Sequence, residues 1–378
     1  MKGRLWRKDE TMIKVVHTSD LHLDGTFFKE DSRINERRKR ERRALFVNIM
    51  MYARDRQVDV LLIAGDLFDG LWPEKETAEL ILREFENTPG TEIFIAPGRH
   101  DPYRPGCFYA EKRFPSNVHI FREDRVAPIS VDRLGLTVYG YAFTGYRMEG
   151  APLAVMPVTD KGRINLLCGY GSLEGEPGLA PITAEQIGNS GVDYAALGSA
   201  HLASELKNEK GVYYSYSGAP EGCGFGENGH MGLRLLALDK TDGSCALNGK
   251  SMRFSRCHYE EMTVDASAYS SVYEMLSALS DDFRGSEYDK DTILTMTFRG
   301  KVSLQFGVIS PDLFEKIAAK LYYLKINDET TTVFEKNEDA TDIREGFATA
   351  LCDFIGREDP CFDKAVKAGL AALEGKTL

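Results

Sequence analysis

Residues 13–22 read IKVVHTSDLH, an apolar run that ends in two side chains able to bind a metal ion, Asp20 and His22. The apolar half has the length and the β-branched composition of a buried strand. In an extended chain, residues two apart project from the same face, so the Asp20 carboxylate and the His22 imidazole are expected to converge. The stretch therefore predicts a strand that ends in a carboxylate–imidazole pair.

Three further polar motifs follow apolar runs in the same way. They are GDLFD at 65–69, GRHD at 98–101 and GSAH at 198–201. Ligands of open α/β sheets bind at the carboxyl ends of the strands, so four polar motifs placed there favour a shared site. Taken singly, each motif is also typical of an ordinary turn. Their common placement favours a metal site over four unrelated turns.

The spacing of apolar residues predicts an α/β domain over residues 12–255. Segments 43–54 and 75–87 place apolar residues at three- and four-residue intervals, as expected of helices that cover a sheet. Several strands should then be buried on both faces. Strands are predicted at 13–16, 58–64, 93–96, 136–139, 164–167 and 194–197.

A second, smaller α+β domain is predicted over residues 256–378. After a glycine-rich passage, the pattern changes there to an alternation of strands and helices. Residues 292–298 read as a strand, and 339–356 and 363–373 read as two closing helices with apolar stripes.

Composition narrows the class of protein. With 378 residues, 43% of them hydrophobic and 28% charged, the chain has the material for two packed domains. Its formal net charge of -11 argues against coating nucleic acid by bulk attraction, so such contacts require a local basic patch. Seven scattered cysteines without a CxxC pair favour a reducing compartment. Because the apolar runs are too short to span a membrane, we expect a cytoplasmic protein with no membrane partner.

The order of the four motifs resembles the signature of the calcineurin-like metallophosphoesterases, which runs D-x-H, G-D, G-N-H-D, a separate histidine and G-H-x-H. The local sequences around the motifs, HTSDLHLD, VDVLLIAGDLFDG and IAPGRHDP, are similar to those of the SbcD and YhaO branch of DNA repair exonucleases. The resemblance implies a four-layer αββα sandwich, in which helices flank two mixed β-sheets. It also implies that the smaller C-terminal α+β domain acts as a cap.

In this family the first metal is held by the D-x-H pair, the bridging aspartate and the last histidine of G-H-x-H. The resemblance therefore implies that Asp20, His22, Asp66 and His201 bind one divalent ion. Two carboxylates and two imidazoles suit a transition metal, with manganese first and iron or zinc as alternatives.

The second metal of the family needs three further ligands, and this sequence replaces all of them. The matching positions are Arg99, Cys168 and Ser199. We therefore expect one bound metal. Arg99 either occupies the vacated space as a fixed cation that grips phosphate oxygens, or pairs with Asp66 or Asp101 and blocks metal entry. Cys168 offers a zinc thiolate in principle, but an inert buried cysteine is the preferred interpretation.

Two further residues match the catalytic machinery of the family. His100 corresponds to the general acid that protonates the leaving oxygen, and Asp101 is available to orient it.

A basic segment at 33–43 is the candidate contact for nucleic acid. It holds seven basic and two acidic residues and follows the first motif closely. Arg37, Arg38 and Arg40 are therefore candidate phosphate contacts. The alternative interpretation is a solvated helix face.

The resemblance implies metal-dependent hydrolysis of phosphodiesters by a DNA exonuclease of the SbcD type, with activity reduced by loss of the second metal. Two alternatives stay open: a non-catalytic subunit that binds DNA or an ATPase, and a single-metal phosphatase for small phosphate esters. Relatives of the SbcD type work with an SMC-like coiled-coil ATPase and often dimerise. The expected partners are therefore DNA, such an ATPase and a second copy of the chain, with the last two helices as a docking element.

Overall fold

The computed structural model describes residues 12–28, 31–154, 156, 158, 160–228, 231–241 and 244–376. Contacts divide the chain into two compact units, one ending at Arg256 and the other beginning at Cys257. Each unit has hydrophobic cores of its own. Each therefore meets the physical description of a domain.

Two six-stranded sheets form the centre of the first unit. Its strands are β1 (Ile13–Thr18), β2 (Val60–Ile63), β3 (Glu92–Ile95), β4 (Val118–Ile120), β5 (Ala127–Val131), β6 (Leu136–Gly140), β7 (Ile164–Tyr170), β8 (Tyr194–Gly198), β9 (Lys207–Glu209), β10 (Val212–Tyr216), β11 (Gly232–Thr241) and β12 (Ser244–Arg253). The first sheet has the order β12-β11-β1-β2-β3-β4, and the second has the order β5-β6-β7-β8-β10-β9. In both sheets the central strands are parallel, so their carboxyl ends meet at one edge.

Helices cover the outer faces of these sheets. The first unit contains α1 (Ser32–Asp55), α2 (Lys75–Glu86), α3 (Phe108–Glu111) and α4 (Ala184–Ser190), with 3-10 turns at Asp132–Leu134 and Pro152–Ala154. Helices α1 and α2 pack on the first sheet, and α4 packs on the second. A third core lies between the two sheets. The predicted four-layer αββα sandwich is confirmed.

Strand β2 shows why the apolar runs of the sequence are continuous. Val60 and Leu62 enter the core between the sheets, whereas Leu61 and Ile63 enter the core beneath α1 and α2. Successive side chains of a strand point to opposite faces, and here both faces are buried. Every position of β2 must therefore be apolar.

Helix α1 begins at Ser32, earlier than the predicted start at residue 43. Asp31 caps it, because its carboxylate accepts hydrogen bonds from the amides of Arg33 and Ile34. The charged first half carries little of the apolar periodicity on which the prediction relied. It is helical because the cap and acidic partners elsewhere in the fold stabilise it.

The second unit is built on a three-stranded parallel sheet in the order β13-β14-β16, and β15 pairs with β17. Its elements are β13 (His258–Asp265), α5 (Val272–Gly285), β14 (Thr292–Arg299), β15 (Lys301–Ser303), α6 (Glu315–Ala318), β16 (Tyr323–Asp328), β17 (Thr331–Val333), α7 (Ile343–Ile355) and α8 (Phe362–Leu373), with 3-10 turns at Ala266–Ala268 and Pro311–Phe314. Helix α5 covers the sheet through Met275 and Leu279. The unit contains both strands and helices, as predicted, but its three-stranded sheet is parallel, because helical connections join its strands.

Helix α7 buries only part of its apolar stripe. Ala348 is buried with α8, whereas Ile343 is 68% exposed and Phe354 is 86% exposed. The stripe therefore leaves an apolar surface on this helix.

Among the described helices of both units, none combines the length and the apolar character that a membrane crossing requires.

Candidate metal centre

The loops that follow β1 and β2 run side by side and bring the first two motifs together. The amides of Asp20 and His22 donate hydrogen bonds to the carbonyl oxygens of Gly65 and Asp66, each at 3.0 Å. The expected cause of the convergence of Asp20 and His22, an extended chain, was wrong, because β1 ends at Thr18. Both residues lie in the irregular loop after β1, with left-handed φ angles of 52° and 44°. Such angles are unfavourable outside glycine, so the surrounding hydrogen bonds impose them.

Three buried side-chain atoms face one another at this point. One ligand atom from each of Asp20, His22 and Asp66 lies within 4.8 Å of the other two. Asp20 Oδ1, His22 Nε2 and Asp66 Oδ2 are all buried, and they make no hydrogen bond to any residue that the structure describes. Unpaired buried polar atoms are rare and costly. A cation bound between them would satisfy all three, so the residues fit the divalent metal of the family.

His201 completes the predicted ligand set. Its Nε2 lies 3.9 Å from Asp20 Oδ1, and its ring centroid lies 5.2 Å from that of His22. The structure thus brings together all four predicted ligands from three separate loops. Two imidazoles and two carboxylates suit a divalent transition ion. That these four residues hold the ion stays a prediction, which this geometry favours.

Two carboxylates orient the imidazoles. Asp69 Oδ1 lies 2.7 Å from His22 Nδ1, and Glu227 Oε1 lies 2.7 Å from His201 Nδ1. Each contact holds the proton on Nδ1 and leaves Nε2 for the metal. The sequence did not identify either residue in this role. Asp69 is the last residue of the GDLFD motif, so the motif itself was a signal for it. No local pattern marks Glu227 in its glycine-rich loop.

These contacts shift the pKa values of the groups involved. Burial opposes protonation of His201, but the hydrogen bond to Glu227 and the charge of Asp20 outweigh burial and raise the pKa of His201. The same contact lowers the pKa of Glu227 against the effect of its own burial. Burial also acts to raise the pKa of Asp69, but hydrogen bonds with His100 and His22 lower it below its usual range. A metal must displace the His201 proton, so its affinity falls as the pH falls through the raised pKa.

Glu227→Gln is expected to weaken metal binding by about 10–100-fold, the usual effect of losing a partner of a ligating histidine. Glu227 Oε2 accepts a hydrogen bond from the Cys223 amide at 2.7 Å while Oε1 faces His201. A glutamine would turn an NH2 group toward one of these two donors. Competition with a chromophoric chelator measures the effect, with the exposed Glu205→Gln as the matched control. Equal affinities in the two variants would contradict the orienting role.

Asp101 does not orient His100, contrary to the prediction. Its carboxylate is buried and accepts hydrogen bonds from the amides of Asp66, Leu67 and Gly98 and from the hydroxyl of Tyr109, at 3.1, 2.8, 2.7 and 2.7 Å. Asp101 therefore holds together the loop after β2 and the loop after β3. The residue beside His100 is Asp69, whose Oδ1 lies 3.3 Å from His100 Nδ1. Sequence adjacency suggested the wrong carboxylate, because the GRHD loop turns Asp101 inward.

The positions of the missing second site are tied into the fold. Cys168 is fully buried between the sheets, and its thiol lies 3.5 Å from the Ile63 carbonyl oxygen. Burial raises the pKa of the Cys168 thiol, and Cys168 belongs to none of the groups of candidate metal ligands among the described residues, which favours the inert interpretation. The Ser199 hydroxyl donates a hydrogen bond to the Gly171 carbonyl oxygen at 2.8 Å. These groups are therefore already engaged within the protein.

Tyr170 lies against Gly65, the residue before Asp66. A Cβ atom on Gly65 would collide with the Tyr170 ring, so only glycine fits there. Burial, followed by the charges of Asp66 and Asp20, raises the pKa of Tyr170, and its phenol stays neutral beside the aspartate that two metals would share. The Arg99 guanidinium is 41% exposed and lies 3.9 Å from Glu176, rather than pairing with Asp66 or Asp101. Its role as a fixed cation toward phosphate stays a prediction.

The basic segment is mostly used inside the protein. The prediction that Arg38 contacts nucleic acid was wrong, because Arg38 is buried and donates hydrogen bonds to Glu41, Glu221 and the Gly222 carbonyl oxygen. Arg42 is also buried and donates to the same carbonyl oxygen. A run of arginines in sequence does not reveal which of them face inward.

The other two candidate phosphate contacts remain at the surface. Arg37 is 41% exposed and forms an ion pair with Glu41 one helical turn away. Arg40 is exposed. Their predicted contact with nucleic acid therefore remains sterically open, although burial of Arg38, Arg42 and Arg43 makes the basic patch smaller than the sequence indicated.

Comparisons with known proteins identify a domain within the first unit. The sequence profile of the family described as "Calcineurin-like phosphoesterase" matches residues 13–198. The chain is 27% identical over 289 residues to "Uncharacterized metallophosphoesterase YhaO" of Bacillus subtilis (strain 168), which covers 72% of this chain and 68% of that protein. It is 24% identical over 415 residues to "DNA double-strand break repair protein Mre11" of Methanopyrus kandleri, covering 96% and 82%. It is 25% identical over 262 residues to the SbcD component of the SbcCD nuclease of Staphylococcus epidermidis, covering 60% and 66%.

The matched segment contains the loops after β1, β2 and β3, which carry Asp20, His22, Asp66 and His100. The αββα layers, the convergent loops and the relatives all lead to the same family. Residues 13–198 therefore form a calcineurin-like metallophosphoesterase domain, and the chain is similar to YhaO, Mre11 and SbcD proteins.

Proposed function

We propose that this protein is a single-metal phosphodiesterase whose substrate is DNA, cleaved from an end. The observation that carries the proposal is the convergence of Asp20, His22 and Asp66, whose buried unpaired atoms lie together beside His201. Two of the relatives are described as a DNA double-strand break repair protein and as a nuclease component, which supports DNA as the substrate. Hydrolysis of phosphate esters is the activity of the family as a whole.

The proposal of one metal rests on how the second set of positions is used. Cys168 is enclosed between the sheets, and Ser199 is bonded to a main-chain carbonyl group. A neutral Tyr170 lies beside Asp66. We propose manganese as the ion, with iron or zinc as alternatives, because mixed nitrogen and oxygen ligands accept all three.

The residues around the ion divide the chemical work. A divalent ion bound by the four ligands would polarise a phosphate oxygen and lower the pKa of a bound water. Asp69 holds His22 and His100 in place through one oxygen atom, at 2.7 and 3.3 Å. His100 is 41% exposed, while His22 beside it is buried, so His100 lies on the side open to substrate. It donates the proton that the leaving oxygen needs.

Arg99 is the candidate residue for neutralising the phosphate charge that the single metal ion leaves unbalanced. Its half-exposed guanidinium follows directly on Gly98, whose amide is fixed by Asp101 at 2.7 Å. A guanidinium can donate two parallel hydrogen bonds to phosphate oxygens, and it keeps its charge at all physiological pH values. We propose that Arg99 supplies positive charge on the side where the family has its second ion.

The remaining proposals rest on resemblance. We propose that the protein acts in the cytoplasm with an SMC-like coiled-coil ATPase, that it can form a homodimer, and that the second unit serves as a cap and partner-docking domain. The exposed apolar face of α7, with Ile343 and Phe354, is the candidate docking surface for the ATPase. Arg37 and Arg40 are the remaining candidates for contact with DNA.

The proposed function is tested by metal content and substrate preference on one preparation. After loading with manganese, the protein is expected to hold about one equivalent of metal. It should prefer bis-p-nitrophenyl phosphate to p-nitrophenyl phosphate by at least about tenfold in kcat/KM. It should also degrade an end-labelled linear duplex while leaving a covalently closed circle intact. Chelator-treated protein is the control and should be inactive on every substrate.

The same panel separates the two alternatives. Preference for the monoester would indicate a phosphatase for small phosphate esters. Binding of duplex DNA without cleavage of any ester would indicate a non-catalytic subunit. Cleavage of the closed circle at the same rate as the linear duplex would contradict the requirement for an end and indicate an endonuclease.

A further inference from the structure

Cys223 lies at the metal centre, although no motif in the sequence marks it. One ligand atom from each of His22, His201 and Cys223 lies within 4.8 Å of the other two. Cys223 is 1% exposed, and its Sγ lies 3.7 and 4.0 Å from the carbonyl oxygens of Glu221 and Asp20. At these distances the thiol has only weak hydrogen-bond partners.

A second observation at the same point favours a bound cation. Asp20 Oδ1 and His22 Nε2 are buried without a hydrogen-bond partner among the described residues. His22 belongs both to the set with Cys223 and His201 and to the set with Asp20 and Asp66. Cys223 is therefore a candidate fifth ligand beside Asp20, His22, Asp66 and His201.

The distances are close to those of a bound ion. Nitrogen and sulfur ligands bind zinc at about 2.1 and 2.3 Å, so two such atoms on one ion lie at most about 4.4 Å apart. The ligand atoms of His22, His201 and Cys223 lie within 4.8 Å of one another. The ligand atoms of one tetrahedral ion lie about 3.6 Å apart, so the three side chains must draw together by up to about 1.2 Å to bind it.

The loop that carries Cys223 is held firmly against the site. Glu227 accepts hydrogen bonds from both the Cys223 amide and the His201 ring, each at 2.7 Å. On the other side, buried Arg38 and Arg42 donate to the Gly222 carbonyl oxygen at 3.2 and 2.8 Å. One carboxylate and two buried guanidinium groups thus set the position of the thiol relative to His201. Precise placement of this kind is what a metal ligand requires.

We propose that Cys223 is a thiolate ligand of this metal centre, in addition to the four residues predicted from the sequence. This inference rests on the proposed function, in that it requires a metal at the site. On coordination the Cys223 S–H bond breaks, its proton passes to solvent, and a metal–sulfur bond forms with no change in oxidation state. A thiolate is a soft ligand and shifts preference from manganese toward zinc, iron(II) or cobalt(II).

Cobalt(II) provides a direct test, because its absorption spectrum reports the metal and the thiolate separately. The full-length protein is stripped of metal under reducing conditions and titrated with cobalt(II). Visible d–d bands show that cobalt occupies a protein site, and a near-ultraviolet sulfur-to-cobalt charge-transfer band shows a thiolate ligand. Both are expected in the wild-type protein. Cys223→Ser should keep the d–d bands, lose the charge-transfer band and bind zinc at least about tenfold more weakly.

Two cysteine variants serve as matched controls. Cys257→Ser changes a buried cysteine of the second unit, and Cys168→Ser changes the cysteine that replaces a family ligand. Both should keep the charge-transfer band. Loss of that band in Cys168→Ser, with retention in Cys223→Ser, would overturn the proposal.

The spectra also separate failure of this proposal from failure of the proposed function. Wild-type d–d bands without a charge-transfer band would mean that the centre binds metal through its imidazoles and carboxylates alone. That result would overturn the role of Cys223 and leave the proposed function standing. Absence of both bands would overturn the metal centre itself, and the proposed function with it.

Discussion

Replacing Asp66 with asparagine is expected to abolish metal binding and to lower phosphodiester turnover by at least about 10³-fold. Asp66 Oδ2 is one of the three buried unpaired atoms, and Oδ1 accepts a hydrogen bond from the His100 amide at 2.8 Å. Asparagine can keep that hydrogen bond but carries no charge for the ion. Charge stabilisation by a catalytic metal contributes several kcal/mol, and each 1.36 kcal/mol corresponds to about tenfold in rate. Elemental analysis and the diester assay measure the two effects.

The same variant should be more stable than the wild type when both are free of metal. Burial, and then the charges of Asp101 and Asp20, raise the pKa of Asp66 well above its usual value. The folded state therefore holds a proton that the unfolded chain has already released. As a result, the stability of the metal-free wild type falls as the pH rises from the unfolded value of Asp66 through its raised folded pKa. Asp66→Asn removes this penalty because the amide does not titrate, so the difference in melting temperature should grow with pH.

Asp193→Asn is the matched control. Asp193 is also a largely buried aspartate of the first unit, but its carboxylate pairs with Lys240 at 2.8 Å and lies in neither of the ligand sets. Its replacement should lower stability and leave metal content unchanged, which is the opposite of the result expected for Asp66. Full metal occupancy in Asp66→Asn would show that this aspartate is not a ligand.

His100→Asn is expected to lower turnover on DNA by about 10²–10⁴-fold while metal content stays the same. His100 contacts Asp69 through Nδ1 at 3.3 Å, and its ring centroid lies 4.9 Å from that of His22. Nε2 is thus left to donate a proton to the leaving oxygen. The variant removes that proton without removing a metal ligand of the proposed set.

The leaving group makes this prediction specific. p-Nitrophenolate departs without protonation, whereas the sugar oxygen of DNA needs a proton. The loss for bis-p-nitrophenyl phosphate should therefore be much smaller than the loss for DNA. His119→Asn is the control, because His119 pairs with Glu92 at 2.7 Å in β4 and lies in neither ligand set. Equal losses on both substrates would indicate that His100 acts in positioning rather than as a general acid.

Two buried arginines of α1 bind the loop that carries Cys223 and Glu227, which the sequence did not indicate. Arg38 and Arg42 fix the loop that carries Cys223 and Glu227, through the Gly222 carbonyl oxygen and Glu221. Burying a guanidinium is costly unless it is paired, and here the pairing partners belong to the loop of the metal centre. Arg38 and Arg42, which in the sequence look like part of a DNA-binding surface, thus hold a loop of the candidate metal centre in place.

Six strands of the first unit and the polar motifs at strand ends followed from local patterns, whereas the four layers followed from the family resemblance. Apolar runs such as 58–64 identify a strand wherever it packs, and a motif at the end of a parallel strand must lie at the ligand-binding edge of its sheet. The placement of the motifs at one edge therefore followed from the parallel strands, whereas the choice of Asp20, His22, Asp66 and His201 as ligands followed from the resemblance. The start of α1 was missed because its first turns are charged and show no apolar stripe.

Contacts between segments distant in the chain could not be read in the same way. Glu227 meets His201, Arg38 meets Glu221 and Asp69 meets His100 only because separate loops fold against one another. Whether an arginine faces DNA or a buried carboxylate, and whether a cysteine is inert or lies beside a metal, depends on what packs opposite it. Periodicity and motif spacing describe one segment at a time, so these pairings, and the candidate ligand Cys223, became visible only once the loops were placed together in three dimensions.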